Sequence, residues 1–451
     1  MGAGVTGLAA AFELARRGMP FVLLEASGRA GGLIQTEHAH GFTIDGGPDS
    51  LLVQKPAAIE LCAELGLGAR LMQTTPPRSA FVLKNDRLHA LPSPSVLGIP
   101  TSASALAKYD LLGWGARARM AIEPLVPPRA VADESVGSFF RRRFGRAAVG
   151  LIAEPLLGGI HAGDVEQLSM RSLFPRLVDA EREPGRVMRS LSRARKGAPP
   201  PQGLFRALRG GMSELTDAIV AALPSGSVRL HCQPADLHRG SSGWRITSGT
   251  DTIDAAAVIL AAPAHAARRL LADADPQASE LCGSVPYVST ASIALGFRRD
   301  DIAHPLAGSG FVVARRHQRS RITACTWVSS KWQSRAPEGH ALLRAFAGGA
   351  RDPSAVDATD EALVEVALRD LSGVLGIRGA PVLTRVYRWR DAGAQHTVGH
   401  RARMEALRHR LHALRGLYVA GSGYGAIGIP DCVAQARQVA AAAADYVRMR
   451  A

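Results

Sequence analysis

Gly2-Ala3-Gly4-Val5-Thr6-Gly7 runs straight into the helical stretch Leu8 to Arg17, and Phe21-Val22-Leu23-Leu24-Glu25 follows as a strand. Glycines at positions 2, 4 and 7 fit the G-x-G-x-x-G loop of a nucleotide-binding unit. The first permits a tight turn, the second lets the backbone approach a pyrophosphate, and the third admits close packing of the helix. The helix aims its first amides, those of Val5 and Thr6 included, at phosphate oxygens. Glu25 comes 25 − 7 = 18 residues after the last glycine, placed to take a ribose hydroxyl. Near the other end, Leu417-Tyr418-Val419-Ala420-Gly421 reads as a strand that breaks into a glycine-rich turn before an alanine-rich helix. Each end of the chain thus carries half of one nucleotide site.

A site split across about four hundred residues points to a flavin enzyme rather than a simple nicotinamide dehydrogenase. Its first half lacks one part. A Rossmann unit carries an apolar strand before its glycines, and here only Met1 precedes Gly2. The expectation is a start several codons upstream or a shortened chain. A chain that begins at Met1 is expected to hold its cofactor weakly and to have low stability.

At 451 residues the chain exceeds one compact core, so two or three domains are expected. Hydrophobic residues make up 47% and charged ones 21%, a globular balance. No apolar run approaches the roughly 18 residues of a membrane span, and no signal-peptide pattern opens the chain. The five cysteines are scattered without C-x-x-C spacing, which fits reduced thiols in a cytoplasm better than disulfides or zinc. The net charge of +15 suits nucleic acid, anionic lipid or an acidic small substrate, or reflects only an arginine-rich coding bias. No zinc-finger, helix-turn-helix or RNA-binding signature accompanies it, which argues against nucleic acid. The charge gathers in Arg141-Arg142-Arg143 with Arg146 and between Arg186 and Arg209. Those arginines either meet substrate carboxylates or anionic lipid, or solvate helix faces; no single stretch reads as a clean amphipathic membrane face.

The expected fold is α/β: a Rossmann-type cofactor domain assembled from both chain ends, a mixed-sheet substrate domain and a helical insert. Residues 1–90, 206–270 and 411–451 are assigned to the cofactor domain, 91–205 to the insert and 271–410 to the substrate sheet. Pro56 to Leu71 reads as an amphipathic helix, and Ala80–Leu83 with Leu88–Leu91 as a hairpin around Asn85-Asp86. Ser213 reads as the N-cap of a helix, and Pro199 to Gln202 as a loop-like tract.

Two further glycine pairs, Arg29-Ala30-Gly31-Gly32 and Asp45-Gly46-Gly47-Pro48-Asp49-Ser50, follow the first loop in an order that would let backbone lie against a flat, extended cofactor. Together they resemble the opening of the flavin amine oxidase superfamily. Within it the chain resembles the porphyrinogen oxidases, through Leu88–Pro92, Ala153–Asp164, Gly210–Met212, Ser329–Trp332 with Ala336–Gly339, and Gly428-Ile429-Pro430-Asp431-Cys432. The resemblance covers essentially the whole chain. It implies FAD, with Gly2, Gly4, Val5, Thr6, Gly7 and Glu25 on its adenosine diphosphate half. Arg29, Gly32, Leu33, Gly47, Pro48, Asp49 and Ser50 would lie along the cofactor, and Gly421, Ile427, Gly428 and Ile429 beside the isoalloxazine. The region around Pro234 would approach the adenine. His161 and His396 stand where tyrosines are common in the family.

The implied chemistry is oxidation of a porphyrinogen, protoporphyrinogen IX or coproporphyrinogen III, to the porphyrin, with dioxygen as acceptor and hydrogen peroxide released. Aromatisation drives it, so no strong base is required and no catalytic side chain is assigned. Pro92 to Thr101 resembles the bacterial branch that includes coproporphyrinogen users and lacks an arginine often placed there in protoporphyrinogen enzymes. An amine oxidase would present two aromatic rings to the flavin, with only Tyr424 and Trp389 available. A carotenoid desaturase, or a non-catalytic porphyrin-binding protein on the same fold, are the other readings. Spacing suggests no metal site. His38 and His40 are expected in solvent, His89 and His161 as structural histidines, and Lys331 as a solvated loop lysine. Homodimerisation and peripheral attachment to the cytoplasmic membrane face are left open.

Overall fold

A computed structural model describes residues 1–183, 186–194, 203–240, 243–316 and 319–450; the tract Pro199 to Gln202 lies outside them. The alanines that make Val5–Arg16 a good helix also make it a flat one. Leu8 and Ala9 bury against Val433, Ala436 and Ala440 of the final helix, Gly428–Arg448, so the two ends of the chain share one core.

Two parallel strand pairs lie beneath these helices: Leu23–Leu24 with Val228–Arg229, and Val258–Leu260 with Leu417–Val419. The first residues bridge them. The Met1 amine donates to Ile259 O at 2.9 Å, Ala261 N donates to Met1 O at 2.8 Å, and Gly2 N donates to Leu24 O at 2.7 Å. The backbone of Met1 and Gly2 thus sits where a Rossmann unit places its first strand.

A seven-stranded sheet forms the second layer, in the order Leu383–Ala394, Tyr287–Arg298, His340–Gly348, Ile322–Trp327, Gly310–Val313, Ala80–Lys84, Arg87–Ala90. Its pairs are antiparallel except Gly310–Val313 with Ala80–Lys84. The hairpin around Asn85-Asp86 is present, with φ of 49° and 58° at its two turn residues. The sequence grouped it with the cofactor elements of residues 1–90, whereas its strands extend the sheet of residues 287–394.

Among its described residues, the segment 91–204 is helical apart from a short hairpin of Ser95–Val96 with Ile99–Pro100. Its core holds Phe139, Phe140, Phe144 and Ile152. Val149–Gly158 is a wide, π-type helix that takes Pro155 in its interior. The run Arg141-Arg142-Arg143 is paired throughout: the exposed Arg141 pairs with Glu166, Arg142 with Glu134 and Glu181, and the fully buried Arg143 with Glu123.

Two local expectations are corrected. The helix foreseen over Pro56 to Leu71 is α-helical only over Ala57–Glu64, with a 3-10 turn at Gly68–Arg70, because Gly66 takes a left-handed φ of 75°. Met212, not Ser213, occupies the cap of Ser213–Ala222; the Ser213 hydroxyl accepts from Thr36 N at 2.8 Å instead.

Candidate active site

The opening loop is built so that no larger residue fits at two of its glycines. A Cβ on Gly7 would lie 1.8 Å from Gly2 O, and one on Gly2, whose φ is 92°, would lie 3.0 Å from Ala261 O. Gly4 differs: a Cβ there would meet nothing closer than Gly32 Cα at 4.0 Å. That open space is faced by the start of Val5–Arg16, whose first amides have no intrahelical acceptor. The start of Gly428–Arg448 reaches the same loop through Cys432, which hydrogen-bonds Thr6, and a Cβ on Gly428 would meet only Pro430 Cδ at 4.0 Å. Gly421 closes the ring, its nearest prospective contact being Thr6 Oγ1 at 3.5 Å. Two helix N-termini around an open glycine-lined cradle suit a diphosphate and a flat anionic ring system.

Glu25 stands over the loop as its spacing requires. One carboxylate oxygen accepts from Ala3 N at 2.7 Å, the other from Ser27 N at 2.9 Å and Ser27 Oγ at 2.7 Å. Arg29 braces the second glycine pair, donating to the carbonyls of Gly32 and of Ile34 (3.0 Å). Leu33 is exposed, and its carbonyl lies where a Cβ on Gly47 would fall, 1.9 Å away. Pro48 and Ser50 flank Asp49 on the same loop.

Asp49 anchors the third glycine segment. Its buried carboxylate pairs with Lys331 Nζ at 3.0 Å and Arg344 Nη2 at 3.4 Å, and accepts from Trp332 Nε1 at 3.3 Å and Ser50 Oγ at 2.9 Å. Burial pushes its pKa up, but the cations of Lys331 and Arg344 with the Lys331 and Ser50 hydrogen bonds outweigh that and hold it well below the usual carboxylate range. Arg344 also donates to Gly47 O at 2.8 Å and to Asp45 O. Lys331, expected in solvent, is therefore a half-buried partner of Asp49. Asp45, Arg335 and Arg344 were missed; the signal was a lone arginine in the apolar strand His340–Gly348.

On the opposite side three histidines meet. Burial, then His396, then Lys55 lower His161 to about 4. His396 Nε2 donates to Ser422 O at 2.7 Å in the C-terminal turn, and its ring stacks on His400 at 4.0 Å. Burial lowers His400 to about 3, aided by His396, Arg403 and Arg408. Their loop is stitched to the insert by Ser169 N to His396 O (2.8 Å), Val398 N to Gln167 O (2.9 Å) and Gln395 Nε2 to His161 O (2.9 Å). Lys55 pairs with Asp431 at 2.5 Å, and Asp431 accepts from Ile427 N at 3.1 Å. Elsewhere, His38 and His40 are exposed, and His89 is buried beside Asp110. Tyr424 is buried with its hydroxyl on Ala262 O (3.2 Å), and Trp389 donates to Gly46 O (3.0 Å).

A model of the family described as flavin containing amine oxidoreductase matches residues 5–444. The chain belongs to that family. FAD is the cofactor this membership implies, and the glycine cradle between the two helix starts fits it. The chain is 37% identical to the coproporphyrinogen III oxidase of Bacillus subtilis, over 99% of this chain and 97% of that one. It is 30% identical to the enzyme of the same name from Staphylococcus aureus, over 98% and 97%. A crystal structure from Exiguobacterium sp., named for protoporphyrinogen oxidase, superposes with a TM-score of 0.87 at 32% identity, covering 98% of this chain and 97% of that one.

Proposed function

We propose that this protein oxidises a porphyrinogen to the porphyrin in haem biosynthesis, with coproporphyrinogen III as its preferred substrate and dioxygen as the final acceptor. The observation that carries the reading is the full-length similarity to coproporphyrinogen III oxidases at up to 37% identity, joined to a cradle that fits FAD. FAD when bound supplies a two-electron acceptor. In this reading the amides of Val5, Thr6 and Gly7 hold the diphosphate, Glu25 turns from Ala3 N to the ribose, and Gly47 to Ser50 run along the cofactor. Ile427, Gly428 and Ile429 border the flavin ring.

The remaining work of the chain is orientation and exclusion of water. Each of the three two-electron steps removes a hydride equivalent and a proton from the porphyrinogen, and one dioxygen becomes one hydrogen peroxide. The neutral imidazoles of His161 and His396 line the junction of insert and C-terminal turn with no charge to repel a proton leaving the substrate. Homodimerisation is not part of the reading, and a cytoplasmic location is proposed with it; among the described residues no helix is long and apolar enough to cross a membrane.

Anaerobic mixing of FAD-loaded protein with each porphyrinogen tests this directly. Coproporphyrinogen III bleaches the flavin fastest, and porphyrin fluorescence then grows on admitting air. A flavin left oxidised by both porphyrinogens removes the proposal and returns amine or carotenoid substrates.

A further inference from the structure

Leu51–Leu52, Phe205–Leu208 and Leu71–Gln73 form a three-stranded antiparallel sheet in that order, and the segment Gly47–Ser50 leads into the first strand. The third strand, two positions along the sheet from that segment, borders a cavity of about 360 Å³. Small-molecule sites run from roughly 300 to 1,000 Å³, so the cavity is of binding size. Arg206 and Gln73 stand opposite each other in the register, which puts their side chains on the same face of the ladder, and both line the cavity. Arg209, Thr75 and Gln333 complete its polar wall.

The charges of that wall decide what it takes. Arg206 and Arg209 are its cations, and no carboxylate stands among the described residues that line it. Glu214, which accepts from Gly210 N at 2.7 Å, is committed to Arg70. Arg206 Nη1 donates to Phe205 O at 2.9 Å and Gly203 O at 3.3 Å, so its fork is oriented before a ligand arrives. Gln73 and Gln333 are exposed and add carboxamide donors. Two guanidinium groups on one wall call for two negative charges close together. A phosphate monoester carries nearly two on a single group at neutral pH, with oxygens that guanidinium forks bind in pairs. The cavity is larger than a bare phosphate, and Leu71, Met72 and Pro76 give it apolar surface for a carbon skeleton.

We propose that this cavity binds a small organic phosphate monoester, gripped by Arg206 and Arg209, with Gln73, Thr75 and Gln333 donating to its remaining oxygens. The site lies outside the glycine cradle. Thr75 N donates to Lys331 O at 3.0 Å, and the Lys331 ammonium pairs with Asp49. The phosphate therefore sits beside the groups that anchor Gly47–Ser50 and needs no contact with FAD. Its binding does not depend on which substrate the flavin oxidises.

The test is isothermal titration calorimetry of the FAD-loaded full chain with glucose 6-phosphate, inorganic phosphate and succinate, all at one ionic strength. The expected result is saturable binding of both phosphates at one site per chain, with glucose 6-phosphate the tighter and succinate the weakest. Affinity for glucose 6-phosphate falls by about tenfold or more in the double variant Arg206→Gln/Arg209→Gln, since hydrogen bonds to charged groups are lost. Gln73→Glu keeps both arginines and sets a carboxylate in the wall, and it weakens binding by a similar factor through repulsion. Arg209 and Gln73 are exposed and Arg206 is half-buried, so flavin content and porphyrinogen turnover without added phosphate stay at the wild-type level in both variants. That separates failure here from failure of the porphyrinogen reading. The absence of saturable binding by either phosphate overturns the proposal, as does wild-type affinity in both variants. Succinate binding more tightly than both phosphates also overturns it, because the wall then selects separated carboxylates.

Discussion

Replacing Asp49 with Asn leaves the shape of the third glycine segment and removes the charge that holds it. In the wild type the carboxylate is 8% exposed, with Lys331 at 3.0 Å and Arg344 at 3.4 Å. The variant leaves two largely buried cations facing an amide, and breaking one side of a buried ion pair costs about 3–5 kcal/mol. Arg344 keeps its bonds to the carbonyls of Asp45 and Gly47, which favours the low end, about 3 kcal/mol. At about 2 °C per kcal/mol for a large chain, the melting temperature falls by about 6 °C. The Gly47–Ser50 backbone loses its anchor, and FAD binds about tenfold more weakly, equivalent to about 1.4 kcal/mol. Differential scanning fluorimetry and flavin titration of refolded apoprotein measure both. The sign with pH is fixed too. A carboxyl held below its ordinary value contributes stability above the unfolded pKa and loses it only as pH falls toward the folded one. The deficit of the variant is therefore the same at about pH 7 and about pH 5. A variant that melts with the wild type and binds FAD equally would refute the argument, and so would a deficit that disappears by about pH 5.

Gly7→Ala forces a Cβ to 1.8 Å from Gly2 O, so helix and loop must separate by more than an ångström; purified protein is expected without flavin, read from its visible spectrum. His161 and His400 are lowered to about 4 and about 3 from 6.5, so the unfolded chain binds their protons first. Their effect on stability is nil well above the unfolded pKa and grows as pH falls below it, to about 2 kcal/mol each by about pH 5. His400→Phe removes roughly half of that acid sensitivity in melting curves; an unchanged pH slope shows that His400 is already charged in the native state.

The legible parts of the fold are those whose signal lies within a few residues. Gly2, Gly4 and Gly7 declare the loop, and Asn85-Asp86 declares the hairpin because both positions need positive φ. The meeting of the chain ends was legible because each carries its own glycine turn beside an apolar helix. What escaped depends on partners far away in the chain. Lys331 reads as a surface residue until Asp49, 282 positions earlier, is placed beside it. The arginines at 141 to 143 read as a free basic patch until Glu123, Glu134, Glu166 and Glu181 fold around them. The pairing of Ala80–Lys84 with Gly310–Val313 leaves no local trace, since a parallel pair needs no turn between its strands.

The packing of Gly428–Arg448 on Val5–Arg16 also sets an order of events on the ribosome. The helix Val5–Arg16 leaves the exit tunnel with Leu8 and Ala9 needing cover, and that cover, Val433 to Ala440, is encoded more than four hundred residues later. Until then a nascent chain of more than four hundred residues carries an unfinished cofactor layer, while the insert has its own core and the sheet lacks none of its strands. Synthesis proceeds at roughly 5–20 residues per second, so that apolar face waits for tens of seconds. Cells making this protein must shelter Leu8 and Ala9 until Val433 to Ala440 arrive.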